Sequence, residues 1–273
     1  MVEIIWKLFY DSDSSRWEED IMKSVIVRDV CIGEGMPKIC VPIVGTTKGE
    51  ILNAAIEITT VPCDLVEWRA DWYEDVFEPQ CVEDILLKLR KIFGEIPVLF
   101  TFRTKKEGGE KEISYERYGQ MLKNVAATKN VDLIDVETFF DEQIDKLVAE
   151  LKEMGVKVIG SNHDFGKTPE KEELIRKVCQ MQSMGVDITK IAVMPQHKRD
   201  VLTLLTATEE ITENYADRPL ITMSMSGIGT LSRISGEIFG SAVTFGAVRK
   251  ASAPGQIGVN ELKNILETLH RAL

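Results

Sequence analysis

Eight short apolar runs recur along the chain, at residues 39–44, 65–69, 98–103, 133–137, 156–161, 188–194, 220–224 and 242–246. The stretches between them are long enough to hold a helix, and parallel neighbours need a crossover of a dozen or more residues. Several of these stretches carry helical spacing. Ser114 precedes Tyr118, Met121, Leu122 and Val125, and Thr168-Pro169 stands as N-cap and first-turn proline before Leu174, Val178 and Met181, with an end near Gly185. Asn260 reads as the cap of a last helix through Leu262, Ile265, Leu266 and Leu269. Eight strands each followed by a helix predict an α/β protein, a single (β/α)8 TIM barrel, in preference to an open doubly wound sheet.

Ahead of the first barrel strand, residues 24–30 read as a strand and Gly33-Glu34-Gly35 as a turn, which predicts an N-terminal β-hairpin closing one barrel end. No internal repeat or long linker interrupts the pattern, so residues 22–273 are expected to form one catalytic domain. Residues 1–21 turn acidic through Asp11, Asp13, Glu18, Glu19 and Asp20 and lack the layout of a secretory signal. They read as an appended extension for which disorder is expected, with Met22 as an alternative start.

Strand parity assigns the polar residues to faces, because alternate side chains point to opposite sides. Glu67 shares a face with Arg69; Thr101 and Arg103 lie with Leu99; Asp135 and Glu137 lie with Leu133. A face covered by helices must be apolar, so the charged sets are expected to point into the barrel. His163 follows the fifth strand. Lys190 interrupts the apolar sixth, sharing its face with Ile188 and Ala192. A buried ammonium is costly unless paired or neutral, and a neutral lysine amine is the nucleophile that condenses with a ketone. Strand lysines also lie on edges with the ammonium in water, and any one Glu–Arg pair can be a structural ion pair. Structural pairing explains the whole ring poorly, since burying so many charges for packing alone is costly.

Bulk properties narrow the class. The net charge of −11, from 33 basic and 44 acidic residues, argues against a nucleic-acid surface, and no apolar run reaches membrane-spanning length. The five cysteines, Cys31, Cys40, Cys63, Cys81 and Cys179, are dispersed and odd in number, as expected of reduced thiols in a cytoplasmic protein. Three histidines and no His/Cys cluster give no zinc-site pattern, so no metal is expected. The glycine-rich Gly227-Ile228-Gly229 is a loose match to a phosphate cradle and weak by itself. His197 and His270 read as surface helix residues without a role.

Taken together, Glu67-Trp68-Arg69, Phe100-Thr101-Phe102-Arg103 with Glu107-Gly108-Gly109, Ser161-Asn162-His163-Asp164-Phe165, Lys190-Ile191-Ala192-Val193-Met194-Pro195, Ser232-Arg233 and Ser252-Ala253-Pro254-Gly255-Gln256 resemble type I 3-dehydroquinate dehydratases. The pieces stand in that family's order, and the resemblance runs from about residue 22 to the end.

The resemblance implies dehydration of 3-dehydroquinate to 3-dehydroshikimate in the shikimate pathway, through a Schiff base on Lys190. His163 would serve as general base and acid, with Glu107 paired to it. Arg233 would clamp the substrate carboxylate, Glu67, Arg69 and Arg103 would orient the ring hydroxyls, and Ser252 and Gln256 would close over the substrate. Asp135 and Glu137 would support them. A protonated imine acidifies the neighbouring C–H, and loss of water involves no redox change, so no cofactor is expected. The family also implies a homodimer. A lysine-dependent barrel aldolase and a barrel that only binds a small acid as a sensor remain the alternatives.

Overall fold

The computed structural model describes residues 24–248 and 252–273; the expected N-terminal extension and alternative start therefore lie outside the described residues. A two-stranded hairpin comes first, β1 Val25–Val27 and β2 Val30–Ile32. Eight strands then form the barrel wall: β3 Lys38–Ile43, β4 Leu65–Arg69, β5 Val98–Thr101, β6 Leu133–Glu137, β7 Lys157–Asp164, β8 Ile188–Val193, β9 Leu220–Ser224 and β10 Val243–Ala247. The short β11 Ile257–Gly258 pairs with β10 near the rim.

The main helices are α1 Lys48–Ile58, α2 Pro79–Phe93, α3 Tyr115–Ala127, α4 Ile144–Glu153, α5 Lys171–Ser183 and α6 Lys198–Asn214, followed by the short α7 Thr230–Ile234 and α8 Gly236–Phe239, and the last, α9 Val259–His270. None of the described helices is long and apolar enough to cross a membrane.

The wall runs β10-β3-β4-β5-β6-β7-β8-β9, with each neighbouring pair parallel. It curls until its ends meet: Leu220 bridges Ser241 in parallel, and the Ala242 N–H donates to the Leu220 carbonyl at 2.8 Å. Register is pinned at alternate strand entries by a repeated device. Asp64, Asp132 and Asp187 sit just before β4, β6 and β8, and their side chains accept from the N–H of Ile39, Val98 and Val158 at 2.7, 2.8 and 2.9 Å. Their own N–H groups donate back to the carbonyls of the same residues at 2.9, 3.0 and 2.9 Å. A slip by one residue would turn a strand's whole inner set outward, so this two-point clasp protects the site as well as the sheet.

Parity sorts the core into two parts, as expected from the strand pattern. Trp68, Phe100, Ile134, Val136 and Ile191 face out and pack under the helices, with the Trp68 and Phe100 rings edge to face at 5.6 Å. Leu65, Leu99, Leu133, Ile159 and Ile188 face in at the N-terminal end, where Val27 and Ile32 of the hairpin join them. The hairpin is thus the floor of the barrel. Each such fully buried aliphatic side chain contributes roughly 1.5–3 kcal/mol relative to exposure.

Local boundaries differ from expectation at several places: β5 stops at Thr101, two residues short of Arg103, and β7 runs on to Asp164, so His163 lies on that strand instead of following it. The hairpin turn falls at Arg28-Asp29, not at residues 33–35, and Val27 pairs with Val30. Arg28 adopts φ +53°, a conformation costly for a residue with a Cβ. Its side chain reaches Asp132 at 2.7 Å and Glu95 at 2.6 Å, contacts that help hold this turn against the barrel. Thr168 does not cap α5, which begins at Lys171 after Glu170; Asn260 lies inside the first turn of α9, whose N-cap is Gly258. Ser114 does cap α3, accepting from the Arg117 N–H at 3.4 Å. His197, given no role, is the N-cap of α6 in a capping box with Asp200.

Candidate active site

Strand parity delivers the ionisable residues to the inner face above the apolar floor. Lys190, Ser161 and Glu137 are register partners on β8, β7 and β6, so their side chains stand in one row. Lys190 is 3% exposed. Its Nζ lies 3.1 Å from Asp135 Oδ2, 3.8 Å from Glu67 Oε1 and 4.8 Å from the centre of the Phe245 ring. The bland possibility of an edge lysine with its ammonium in water is thereby removed. Thr101 Oγ1 donates to Glu67 Oε1 at 2.8 Å and holds that carboxylate beside the lysine.

Arg103 is the hub of this network. Its NH2 donates to Asp135 Oδ1 at 2.7 Å, and its NH1 donates to Glu137 Oε1 at 3.0 Å and Ser161 Oγ at 3.1 Å, with Glu107 Oε2 at 3.5 Å. Ser161 in turn donates to Asp135 Oδ1 at 2.6 Å. Burial works against the Asp135 carboxylate, but Arg103, Lys190 and His163 outweigh it and hold its carboxyl well below the usual range. Glu137 accepts from both the N–H and the hydroxyl of Thr104, at 2.8 and 2.7 Å, which fixes the turn leading to Glu107. Removing one member of such a buried network leaves its partner uncompensated and typically costs about 3–5 kcal/mol.

Glu107 and His163 meet at that turn. Glu107 Oε2 accepts from the His163 backbone N–H and lies 3.0 Å from Nδ1; Oε1 accepts from Asn162 Nδ2 at 2.9 Å. With Glu107 ionised its carboxylate only accepts, so Nδ1 then carries the hydrogen of that contact and Nε2 is the free ring nitrogen. Burial, reinforced by Glu137, pushes Glu107 up to about 8, while burial together with Arg103 and Lys190 holds His163 well below its usual value. Below about 8 the pair therefore holds one proton beyond carboxylate and neutral imidazole, so one hydrogen lies in the Nδ1–Oε2 contact and the other on Nε2, which becomes a free base when that proton is lost.

The expected pocket residues Lys190, His163, Glu107, Glu67, Arg69, Arg103, Ser252 and Gln256 line one cavity at the barrel mouth, together with Phe165, Met223, Met225 and Phe245. Arg69 and Arg103 reach it with much of their donor capacity already committed. Arg69 is held by both oxygens of Asp71 at 2.9 Å, and its NH1 donates to the Ser252 carbonyl at 3.1 Å.

Arg233, expected in the same pocket, does not line this cavity but stands behind the loop of residues 252–256. Its NH2 donates to the Pro254 carbonyl at 2.9 Å, whereas Nε and NH1, fully buried, have no acceptor among the described residues. Burial pulls its pKa down to about 10. Gln256 braces the loop, accepting from the Ser252 N–H at 2.9 Å and donating to its hydroxyl at 3.0 Å.

Asp71 was missed by sequence reasoning, though its place two residues beyond Arg69 was a usable signal. Gly229, by contrast, is explained by packing: a Cβ there would lie 2.1 Å from the Ser224 carbonyl oxygen. A groove of about 450 Å³ between α2 and α3 is larger than the mouth cavity, but its lining is mainly apolar, with only Glu83 and Arg117 charged. The convergent acid–base groups are all at the mouth.

Comparison with known proteins places these residues in a context. The model of the type I 3-dehydroquinase family matches residues 39–272. The 3-dehydroquinate dehydratase of Clostridioides difficile (strain 630) is 52% identical over 252 residues, covering 92% of this chain and 99% of that protein. The corresponding protein of Clostridium botulinum (strain Eklund 17B / Type B) is 55% identical over 251 residues, covering 91% and 99%.

Among solved structures, the type I 3-dehydroquinate dehydratase of Clostridium difficile, determined with covalent modified comenic acid, superposes with a TM-score of 0.89 at 52% identity, covering 92% of this chain and 99% of that one. The 3-dehydroquinate dehydratase of Geobacillus kaustophilus HTA426 gives a TM-score of 0.89 at 38% identity, covering 92% and 98%.

Proposed function

The chain belongs to the type I 3-dehydroquinase family, and from that premise we propose that it works through an imine on Lys190. The reaction is the dehydration of 3-dehydroquinate to 3-dehydroshikimate in the shikimate pathway, which makes the protein a lyase. The observation that carries the imine reading is the setting of Lys190: a buried primary amine at a barrel mouth, held by Asp135 and Glu67 and sharing its cavity with a histidine–glutamate pair.

In this reading Lys190 Nζ gives up its proton and adds to the C3 ketone; water leaves and the imine takes up a proton. The iminium draws electrons from C2. His163 removes the C2 proton, and the C–H pair becomes the enamine double bond. The enamine then expels the C1 hydroxyl, protonated by the same dyad, leaving as water. The new double bond lies between C1 and C2. Hydrolysis consumes one water, restores the C3 ketone and frees Lys190. Glu107 serves by stabilising the imidazolium that forms when His163 takes the proton, since its acceptor oxygen lies 3.0 Å from Nδ1.

Arg233 is the carboxylate clamp of this reading. Two buried guanidinium nitrogens without acceptors suit an anion that brings its own oxygens, and a bidentate contact is strong and directional. Glu67 and Arg69 face the ring hydroxyls, with Arg103 holding the acids in place. The covalent ligand in the C. difficile structure supports covalent capture of a small acid within this family. The finer reading of a cytoplasmic homodimer rests on the five free cysteines and on the family likeness; sedimentation of the purified protein tests the dimer. Residues 22–273 are read as one catalytic domain.

The deciding experiment is incubation with 3-dehydroquinate and borohydride, followed by intact-mass and peptide analysis. A reduced adduct on Lys190, absent in Lys190→Ala, is expected, with ultraviolet absorbance of the conjugated product growing when borohydride is omitted. Turnover without any adduct would refute the imine.

A further inference from the structure

Glu107 meets His163 through one oxygen and Asn162 through the other, and that second contact leads away from the cavity. Asn162 Nδ2 donates to Glu107 Oε1 at 2.9 Å, and Asn162 Oδ1 accepts from Lys177 Nζ at 2.8 Å. Lys177 belongs to α5, 15 residues further along the chain. Its Nζ lies 5.6 Å from the centre of the Phe139 ring and 3.7 Å from Glu173. Neither Asn162 nor Lys177 lines the cavity.

We propose that Lys177 and Asn162 are positioning residues for the Glu107–His163 pair: the ammonium holds the Asn162 amide in the one orientation that presents its NH2 to Glu107, reserving the other carboxylate oxygen for His163. The two ends of an amide are nearly the same size, so shape alone does not choose between them. An ammonium only donates, and therefore selects the oxygen end. A flipped amide would set its oxygen against Glu107 Oε1, an arrangement stable only when Glu107 carries a proton on that oxygen. Lys177 thus favours the ionised carboxylate and places the shared proton on the His163 side.

This inference rests on the reading of Glu107 and His163 as the acid–base pair. The charged groups facing Glu107 are Arg103 beyond β5, Asp135 and Glu137 on β6, and His163 on β7. Lys177 faces Glu173 on its own helix. Replacing Lys177 leaves the first four in place, so a shift in the titration of the pair isolates the path through Asn162.

The test compares pH profiles of kcat for the native enzyme, Lys177→Met and Lys177→Arg, each with borohydride trapping of the imine. Lys177→Met is expected to move the inflection of the acid–base pair upward by roughly half to one pH unit, which lowers kcat below the inflection about three- to tenfold. KM and the rate of imine trapping stay as in the native enzyme, and Lys177→Arg brings the inflection back. An inflection that does not move in Lys177→Met, or a loss equal at every pH and shared by trapping, overturns the proposal.

Should Lys177→Met not fold, Asn162→Asp decides: a second carboxylate beside Glu107 should drive the inflection further up, and an unmoved inflection overturns the proposal. Failure of the underlying imine reading is separately visible, as absence of the adduct in the native enzyme.

Discussion

Glu107→Gln isolates the carboxylate charge behind His163 with little change in shape. The carboxylate offers one oxygen to Asn162 and the other to His163, each contact 2.9–3.0 Å long. Glutamine must turn an NH2 to one of them, and the donors on His163 will take its oxygen, leaving a donor facing Asn162. In the proposed mechanism, when His163 accepts the C2 proton the imidazolium is paired with a carboxylate at 3.0 Å. At an effective dielectric of about 20, unit charges at that separation attract by roughly 5 kcal/mol. A neutral amide dipole retains part of this, so about 3 kcal/mol of stabilisation is lost, equivalent to roughly a hundredfold in kcat.

The pH profile should change with it. With Glu107 raised to about 8, the native pair still holds its extra proton below that pH, and His163 becomes a base only when the proton is lost. Native kcat should therefore climb with pH and level off above about 8, a rise absent from Glu107→Gln. Product absorbance followed across pH 6–9.5, with borohydride trapping to verify imine formation, measures both quantities. A variant within threefold of native kcat, or one that keeps the native inflection, would refute the reasoning.

Further outcomes concern the anion clamp, stability in acid and the backbone. Arg233→Ala removes the two uncommitted donors and should raise KM at least tenfold while Lys190 remains trappable with a ketone lacking the carboxylate; an unchanged KM would remove Arg233 from substrate binding. Asp135 is held well below 3.8, so in acid the unfolded chain binds a proton that the folded one refuses, whereas the lowered His163 is offset by the raised Glu107 beside it. Between about pH 6.5 and 4.5 the proton taken up by the unfolded histidine is matched by the one the Glu107–His163 pair already holds, so melting temperature should stay level there and fall below about 4 through the aspartate; a profile with no fall below pH 4 would contradict the aspartate contribution. Gly109→Ala would bring a Cβ within 1.9 Å of the Arg103 carbonyl oxygen and must displace the turn that carries Glu107, so both melting temperature and kcat should drop together.

The depth at which each feature was legible follows the range of the interaction behind it. Parity is local: a period of two places Lys190, Asp135 and Arg103 on the inner face as soon as the strands are recognised. The recurrence of eight apolar runs is similarly direct, and it carries the barrel. Partner choice is not local. Arg103 draws acceptors from residues 4, 32, 34 and 58 positions away, and nothing in its own neighbourhood ranks them. The hairpin turn escaped because glycine marks tight turns in sequence, whereas here Arg28, with contacts to Asp132 and Glu95, takes the positive φ. The start of α5 escaped because Thr168-Pro169 is a strong cap signal that the backbone does not use.

The hairpin floor has a consequence for traffic. Because Val27 and Ile32 join the apolar layer at the N-terminal end of the barrel, the reaction chamber is a cul-de-sac. In the proposed mechanism imine formation releases one water, elimination a second, and hydrolysis takes one back; substrate enters and product departs as well. All of them share one doorway, beneath the loop of residues 252–256 that Arg69 and Arg233 hold by its carbonyls. If this loop closes over the enamine of the proposed mechanism, it also delays the water that must free the product, so one door would time both protection and release.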